Sequence, residues 1–213
     1  MPVRWAELSA AGHEIGDASL FDAAGPSGFL HDWTADMVQH DLEMSVEFYD
    51  GVFSRAHGRS LAYPVLRRKV RSEGDPISIE ATQQISMLRQ IVRRHYAVAR
   101  GSTDGHNDPA SCDVLSLRSF RASEFIAEEL ILLARQALDA GAWAVFAFDG
   151  VGVGDPAIDA TEHARFCLWL AEHRREALIG TVHDVGCHLR KSALAVIEHE
   201  RQGDVSTRVG PPR

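Results

Sequence analysis

Histidine is the side chain best suited to metal ligation and to proton transfer near neutral pH, and the chain carries eleven of them in 213 residues. Few are spaced for either task. His31, Asp32, His40 and Asp41 surround a predicted helix, but no HxxxH or HExxH pair stands there to bring ligands onto one tetrahedral ion. A solvated helix face is the simpler role. His163 and His173 share a predicted helix and are read as partly exposed. His183 and Asp184 follow the last apolar run, where both a catalytic loop and a helix cap are open readings. Asp149 is a sharper candidate, because it ends the apolar run "AWAVFAFDG". A carboxylate there is costly unless it is paired, hydrogen-bonded or solvated in a cleft. The glycines of "DGVGVGD", Asp149 to Asp155, suggest a phosphate loop only superficially, since the Lys-Ser/Thr of a P-loop and the full GxGxxG frame are both missing.

The elements that must position these groups alternate. Trp5 to Ala11 reads as a short helix stopped at Gly12, and Thr34 to about Ser54 as a long one with Met37, Leu42, Val46 and Phe53 at helical spacing. "SLAYP", Ser60 to Pro64, is a predicted strand ended by proline. Ile79, Ile85, Leu88 and Ile91 mark a further helix, and Tyr96 to Arg100 a strand. Gly101 to Asp113 is turn chemistry. Ala122 to Ala140 is predicted helical with Gly141 as its stop. Ala142 to Gly150 is the clearest strand, apolar as if covered on both faces. Thr161 to Arg175 is then helix, Leu178 to Val182 strand and His183 to Glu200 helix. Strand alternating with helix predicts α/β architecture, an open doubly wound sheet or a barrel, with functional loops after the C-terminal strand ends. One domain over 1–200 and a disordered tail over 201–213 are expected.

Composition limits the function. A net charge of -8 and an isoelectric point near 5.7 argue against a nucleic-acid surface. The basic run "LRRKVR", Leu66 to Arg71, is short and reads as a solvated loop or helix start. Three widely spaced cysteines, Cys112, Cys167 and Cys187, frame neither disulfides nor a CxxC metal site and suit a reducing compartment. No apolar leader or membrane-length run is present, so a cytoplasmic protein is expected.

Several stretches in order resemble the NodB-type polysaccharide deacetylases, carbohydrate esterase family 4. "WAELSAAGHEIG" looks like the approach to that family's histidine motif, and "HDLEMSVEFYDGVFSRAHGRSLAYP" like the run to its FAYP motif. "NDPASCD", "ALDAGAWAVFAFDGVG" and "HARFCLWLAEHRREALIGTVHDV" are similar to its later stretches, so the resemblance reaches about Val185. It implies a distorted (β/α)7 barrel in which one Asp and two His hold a divalent metal such as zinc. The metal activates a water against an N-acetyl carbonyl, with an aspartate base and a late histidine acid.

Carried over position by position, the resemblance predicts loss of that chemistry. The HxxxHP motif falls on Ala18 to Ala23, so the ligand positions are Ala18 and Asp22, and the late histidine falls on Asp149. The family's TFDDG motif would precede Trp5 and is not in the chain. A carboxylate replacing the acid histidine would need a strongly raised pKa to do its work. The expectation is therefore an incomplete or distorted (β/α)7 barrel with no metal cofactor, its open edge closed by a second copy, a partner subunit, a rearranged sheet or N-terminal sequence.

Two functional readings follow. The first is a deacetylase-like protein of surface-carbohydrate metabolism acting without N-deacetylase chemistry. The second is an active hydrolase on carbon–nitrogen bonds of a sugar, with a rebuilt site of Asp22, Asp149, His183 and Asp184 in catalytic roles. Asp17, Tyr63 and Arg67 complete the candidates as substrate-binding residues, and the expected ligand is a carbohydrate or nucleotide-sugar-like molecule.

Overall fold

A chain of parallel backbone contacts organises the molecule, a computed structural model that describes residues 2–20, 35–53, 58–63, 88–101 and 103–192. Asp17 donates its N–H to Ser60 and accepts from Ala62. Strand β1 (Leu61–Ala62) pairs in parallel with β2 (Ala99–Arg100). Arg100 then bridges in parallel to Leu117 on the segment that continues into β3 (Phe120–Arg121), and β3 pairs in parallel with β4 (Phe146–Ala147). Spatial order thus follows chain order, from Asp17 to β4. Among the described residues no pairing returns from β4 to Asp17.

Helices connect these contacts. Helix α1 (Pro2–Ala10) stops where Gly12 adopts φ 92°, a conformation that glycine tolerates. Helix α2 (Ala35–Val52) buries Val38, Leu42 and Ser45, at the i, i+4, i+7 spacing of one face. Met37, expected inside, lies on the exposed side. A helix whose described part is 88–95, α3, adds Ile91 and Val92. With Leu61, Tyr96, Ala99 and Leu115 these residues form the first core cluster.

The second cluster lies under α4 (Ala127–Ala140) and α5 (Ala160–Glu172), where Leu130, Ala134, Ile158 and Phe166 meet Ala122 and Phe146. Phe146 stands edge-on to Phe166 at 5.0 Å. Two carboxylates satisfy the free N–H groups of α4. Glu129 accepts from Ile126 N at 3.0 Å, and Glu162, reaching from α5, accepts from Ala127 N at 2.7 Å. Gly141 closes the same helix in the left-handed region. Asp159 caps α5 through Thr161 N and Glu162 N, and these bonds hold its carboxyl below the ordinary range.

Several expected boundaries shift. Leu178 to Val182 is not a strand: Leu178 and Ile179 are 68% and 47% exposed, and Thr181 caps the helix over 182–192, α6, by accepting from Asp184 N at 3.1 Å. Asp184 is therefore the capped residue and not the cap. Helix α4 starts at Ala127, not Ala122, leaving Ser123 on a loop. Strand β3 was not anticipated. The run Ala142 to Gly150 contributes only Phe146–Ala147 as strand, and of these residues Val145 is buried whereas Phe146 to Phe148 are half-buried. No described helix is long and apolar enough to cross a membrane. The tail expected over 201–213 lies outside the described residues.

Candidate functional site

Side chains alternate across a strand, so the helix contacts above fix which residues face away from α2, α3, α4 and α5. Ala99, Ala122 and Phe146 belong to the helix-side clusters. Val98 and Arg100, Leu117 and Arg121, Val145 and Ala147 then occupy the opposite, inner face. Near the N-terminal strand ends that face is apolar: Val98, Leu117 and Val145 are 0%, 0% and 5% exposed. Helix α6 closes this end, its Gly186 so near Val98 that a Cβ would fall 2.6 Å from a valine methyl.

Toward the C-terminal ends the inner face turns polar. Ser123 Oγ donates to Asp149 Oδ2 at 3.0 Å and accepts from Asp149 N at 2.7 Å. The Arg121 guanidinium approaches the same carboxylate at 4.0 Å, with side chains 64% and 55% exposed. Arg100 is half-buried; desolvation lowers its pKa and the negative charge of Asp149 partly restores it. Ser123, 4% exposed, thus orients an exposed carboxylate beside the Arg121 guanidinium, with Arg100 on the same face. Such an edge offers planar donors for carboxylate or phosphate and a hydroxyl-binding acceptor beside them.

The other sequence candidates do not join this group. Asp17 is 1% exposed. Its carboxylate accepts from Ser45 Oγ at 2.8 Å, Tyr96 Oη at 2.5 Å and Ser19 N at 2.9 Å, so it ties α2 and the end of α3 to the sheet and leaves nothing for a ligand. Tyr63 packs on the helix side against the first cluster. Burial there, with Asp113 nearby, pushes its phenol up to about 12 despite the opposing charge of Arg89. His183 lies at the opposite, N-terminal edge: its N–H donates to Glu14 Oε2 at 2.9 Å and its Nδ1 bonds the Arg59 carbonyl at 3.2 Å. Asp184, beside it, is exposed. Asp149 and His183 are therefore not brought together. Asp22 and Arg67 lie outside the described residues.

The metal set implied by the family resemblance does not fit the side chains present. Ala18, at a ligand position, has only a methyl group and no lone pair, and it follows directly on the buried, fully hydrogen-bonded Asp17. Ser19 next to it holds φ 73°, a strained left-handed conformation for a non-glycine residue. No group of three or more His, Cys, Asp or Glu that could hold a metal occurs among the described residues.

Arg100, Arg121 and Ser123 were missed from sequence. Their signal was present: Arg100 ends a predicted strand, and Arg121 and Ser123 share the inward parity of one extended segment, of which Ser123 falls within the predicted helix Ala122 to Ala140. Compared with protein-family models, curated proteins and solved structures, the chain matches none.

Proposed function

We propose that the chain is a deacetylase-like protein of surface-carbohydrate metabolism. In this reading an incomplete (β/α)7 barrel binds an acidic sugar or nucleotide-sugar-like ligand at the C-terminal strand edge, without metal-dependent N-deacetylation. The observation that carries it is the convergence of Arg100, Arg121, Ser123 and Asp149 at that edge. Parallel pairing in chain order supports a barrel over a doubly wound sheet, in which strand order reverses at a switch point. Alanine at a ligand position supports binding over hydrolysis, because a metal-bound water is the nucleophile in the reaction the resemblance implies. The hydrolase reading with Asp22, Asp149 and His183 draws nothing from His183, which lies at the edge opposite Asp149, beside Glu14 and Arg59.

Titration calorimetry with a uronic-acid oligosaccharide, a nucleotide sugar and a neutral N-acetylated oligosaccharide tests the proposal. An anionic ligand should bind, weaken with salt, and lose about tenfold in affinity, roughly 1.4 kcal/mol, in Arg121→Ala. Binding of none of the three, or binding indifferent to Arg121→Ala, would overturn it. Amine release from the N-acetylated oligosaccharide that disappears in Asp149→Asn would establish the hydrolase instead.

A further inference from the structure

Two His-x-x-x-Cys pairs stand on helices, and the fold treats them differently. On α6 the Cys187 sulfur lies 3.4 Å from Nε2 of His183. The other ring nitrogen, Nδ1, is 3.2 Å from the Arg59 carbonyl, which can only accept, so Nδ1 carries the proton and Nε2 presents its lone pair to the thiol. Backbone also holds the ring in place: a Cβ on Gly58 would fall 1.9 Å from Nε2. On α5 the Cys167 sulfur is 3.7 Å from Nδ1 and 3.9 Å from Nε2 of His163, almost equidistant, so neither nitrogen aims its lone pair at the thiol. That ring is packed edge-on to Phe148 at 5.1 Å instead.

A nucleophile, a base within reach and a third group orienting the base is the arrangement that activates a thiol. We propose that Cys187, with His183 as its base and the Arg59 carbonyl as orienting acceptor, is a reactive thiol and a site of mixed-disulfide formation with low-molecular-weight disulfides. His183 Nε2 takes the Cys187 proton, and the thiolate attacks one sulfur of the disulfide. A new sulfur–sulfur bond forms as the old one breaks, and the leaving thiolate recovers the proton from the imidazolium. Cys187 is oxidised to the mixed disulfide and half of the incoming disulfide is reduced to a free thiol. The charges facing the pair are Glu14, whose carboxylate receives His183 N–H and Ser60 N–H, and Asp184 on the same helix. The Arg59 guanidinium is engaged elsewhere, with Asp50 at 2.8 Å. Cys187 is half-exposed, as a small disulfide requires. Cys112 is an internal contrast, its thiol pushed up by burial and by Asp108.

Iodoacetamide labelling of the full chain at pH 7, followed cysteine by cysteine by mass spectrometry, tests the assignment, with glutathione disulfide as the second reagent. Cys187 should label about tenfold or more faster than Cys112 and Cys167 and gain the glutathionyl adduct first. His183→Gln should bring it to the rate of Cys167. Gly58→Ala, which displaces the ring without removing the base, should lower the rate in the same direction. Equal rates at the three cysteines of the unaltered protein would overturn the proposal, as would a fast Cys187 that ignores both His183→Gln and Gly58→Ala.

Discussion

A carboxylate that is 1% exposed must be held by hydrogen bonds or not be there at all, and Asp17 shows which case applies. Ser45, Tyr96 and the Ser19 N–H surround it. Asp17→Ala strands two hydroxyls and opens a void, with an expected loss of about 3 kcal/mol in urea denaturation. Asp17→Asn, which keeps shape and one carbonyl acceptor, should cost less. The same contact governs alkaline behaviour. Burial and the bond to Asp17 raise the Tyr96 phenol above its ordinary value of 10.0, and burial raises Tyr63 to about 12. A folded-state pKa above the unfolded one means that the folded protein keeps a proton the unfolded chain gives up. Stability from these phenols is thus intact below about pH 10 and declines as pH rises from about 10 toward 12. Urea midpoints recorded across that window should fall with pH, and Tyr63→Phe combined with Tyr96→Phe should flatten the slope. A slope unchanged in the double variant would show that other groups set it.

At the scale of elements, what the sequence made legible depended on whether a local signal was enough. Gly12 and Gly141 end their helices as read, because a left-handed glycine after an apolar periodic run is a local fact. The extent of α2 was visible from spacing for the same reason. Leu178 to Val182 looked like a strand by composition, but a strand exists only where a neighbour offers its backbone, and Leu178 to Gly180 are exposed instead. Strand β3 was hidden by the converse: Phe120 and Arg121 acquire strand character from Val145 and Ala147, distant in sequence. Ser123 looked like a helix start and serves Asp149 instead, which is why Asp149 alone of the site was legible. The misread apolar run sets up α6, and Thr181 at its end carries a prediction. Its hydroxyl accepts from Asp184 N, so Thr181→Ala should cost about 1 kcal/mol while Thr181→Ser costs little, as measured by thermal or urea denaturation.

On the scale of the whole molecule, the described strands are layered on their inner face, with Val98, Leu117 and Val145 buried near the N-terminal ends and Arg100, Arg121 and Asp149 toward the C-terminal ends. In this layering α6 covers the apolar N-terminal end of the inner face. The contact that enforces it is Gly186 against Val98, where only a hydrogen atom fits: a Cβ would lie 2.6 and 2.7 Å from the two valine methyls. Val98 is fully buried directly before β2, its carbonyl accepting from Leu61 N, and cannot move aside without disturbing that pairing, so the overlap must be relieved by α6 lifting away. Gly186→Ala ordinarily helps a helix, by about 0.5–1 kcal/mol. Here it should destabilise by about 1–3 kcal/mol through overpacking. Val98→Ala alone should also cost, through a cavity beneath α6. Combined, the added and removed methyls occupy the same space, so the double variant should be more stable than the sum of the single losses by about 1 kcal/mol or more. Strict additivity in denaturant unfolding would mean that α6 does not rest on the inner face of the sheet, and the division of that face into a covered apolar end and a polar end would fall with it.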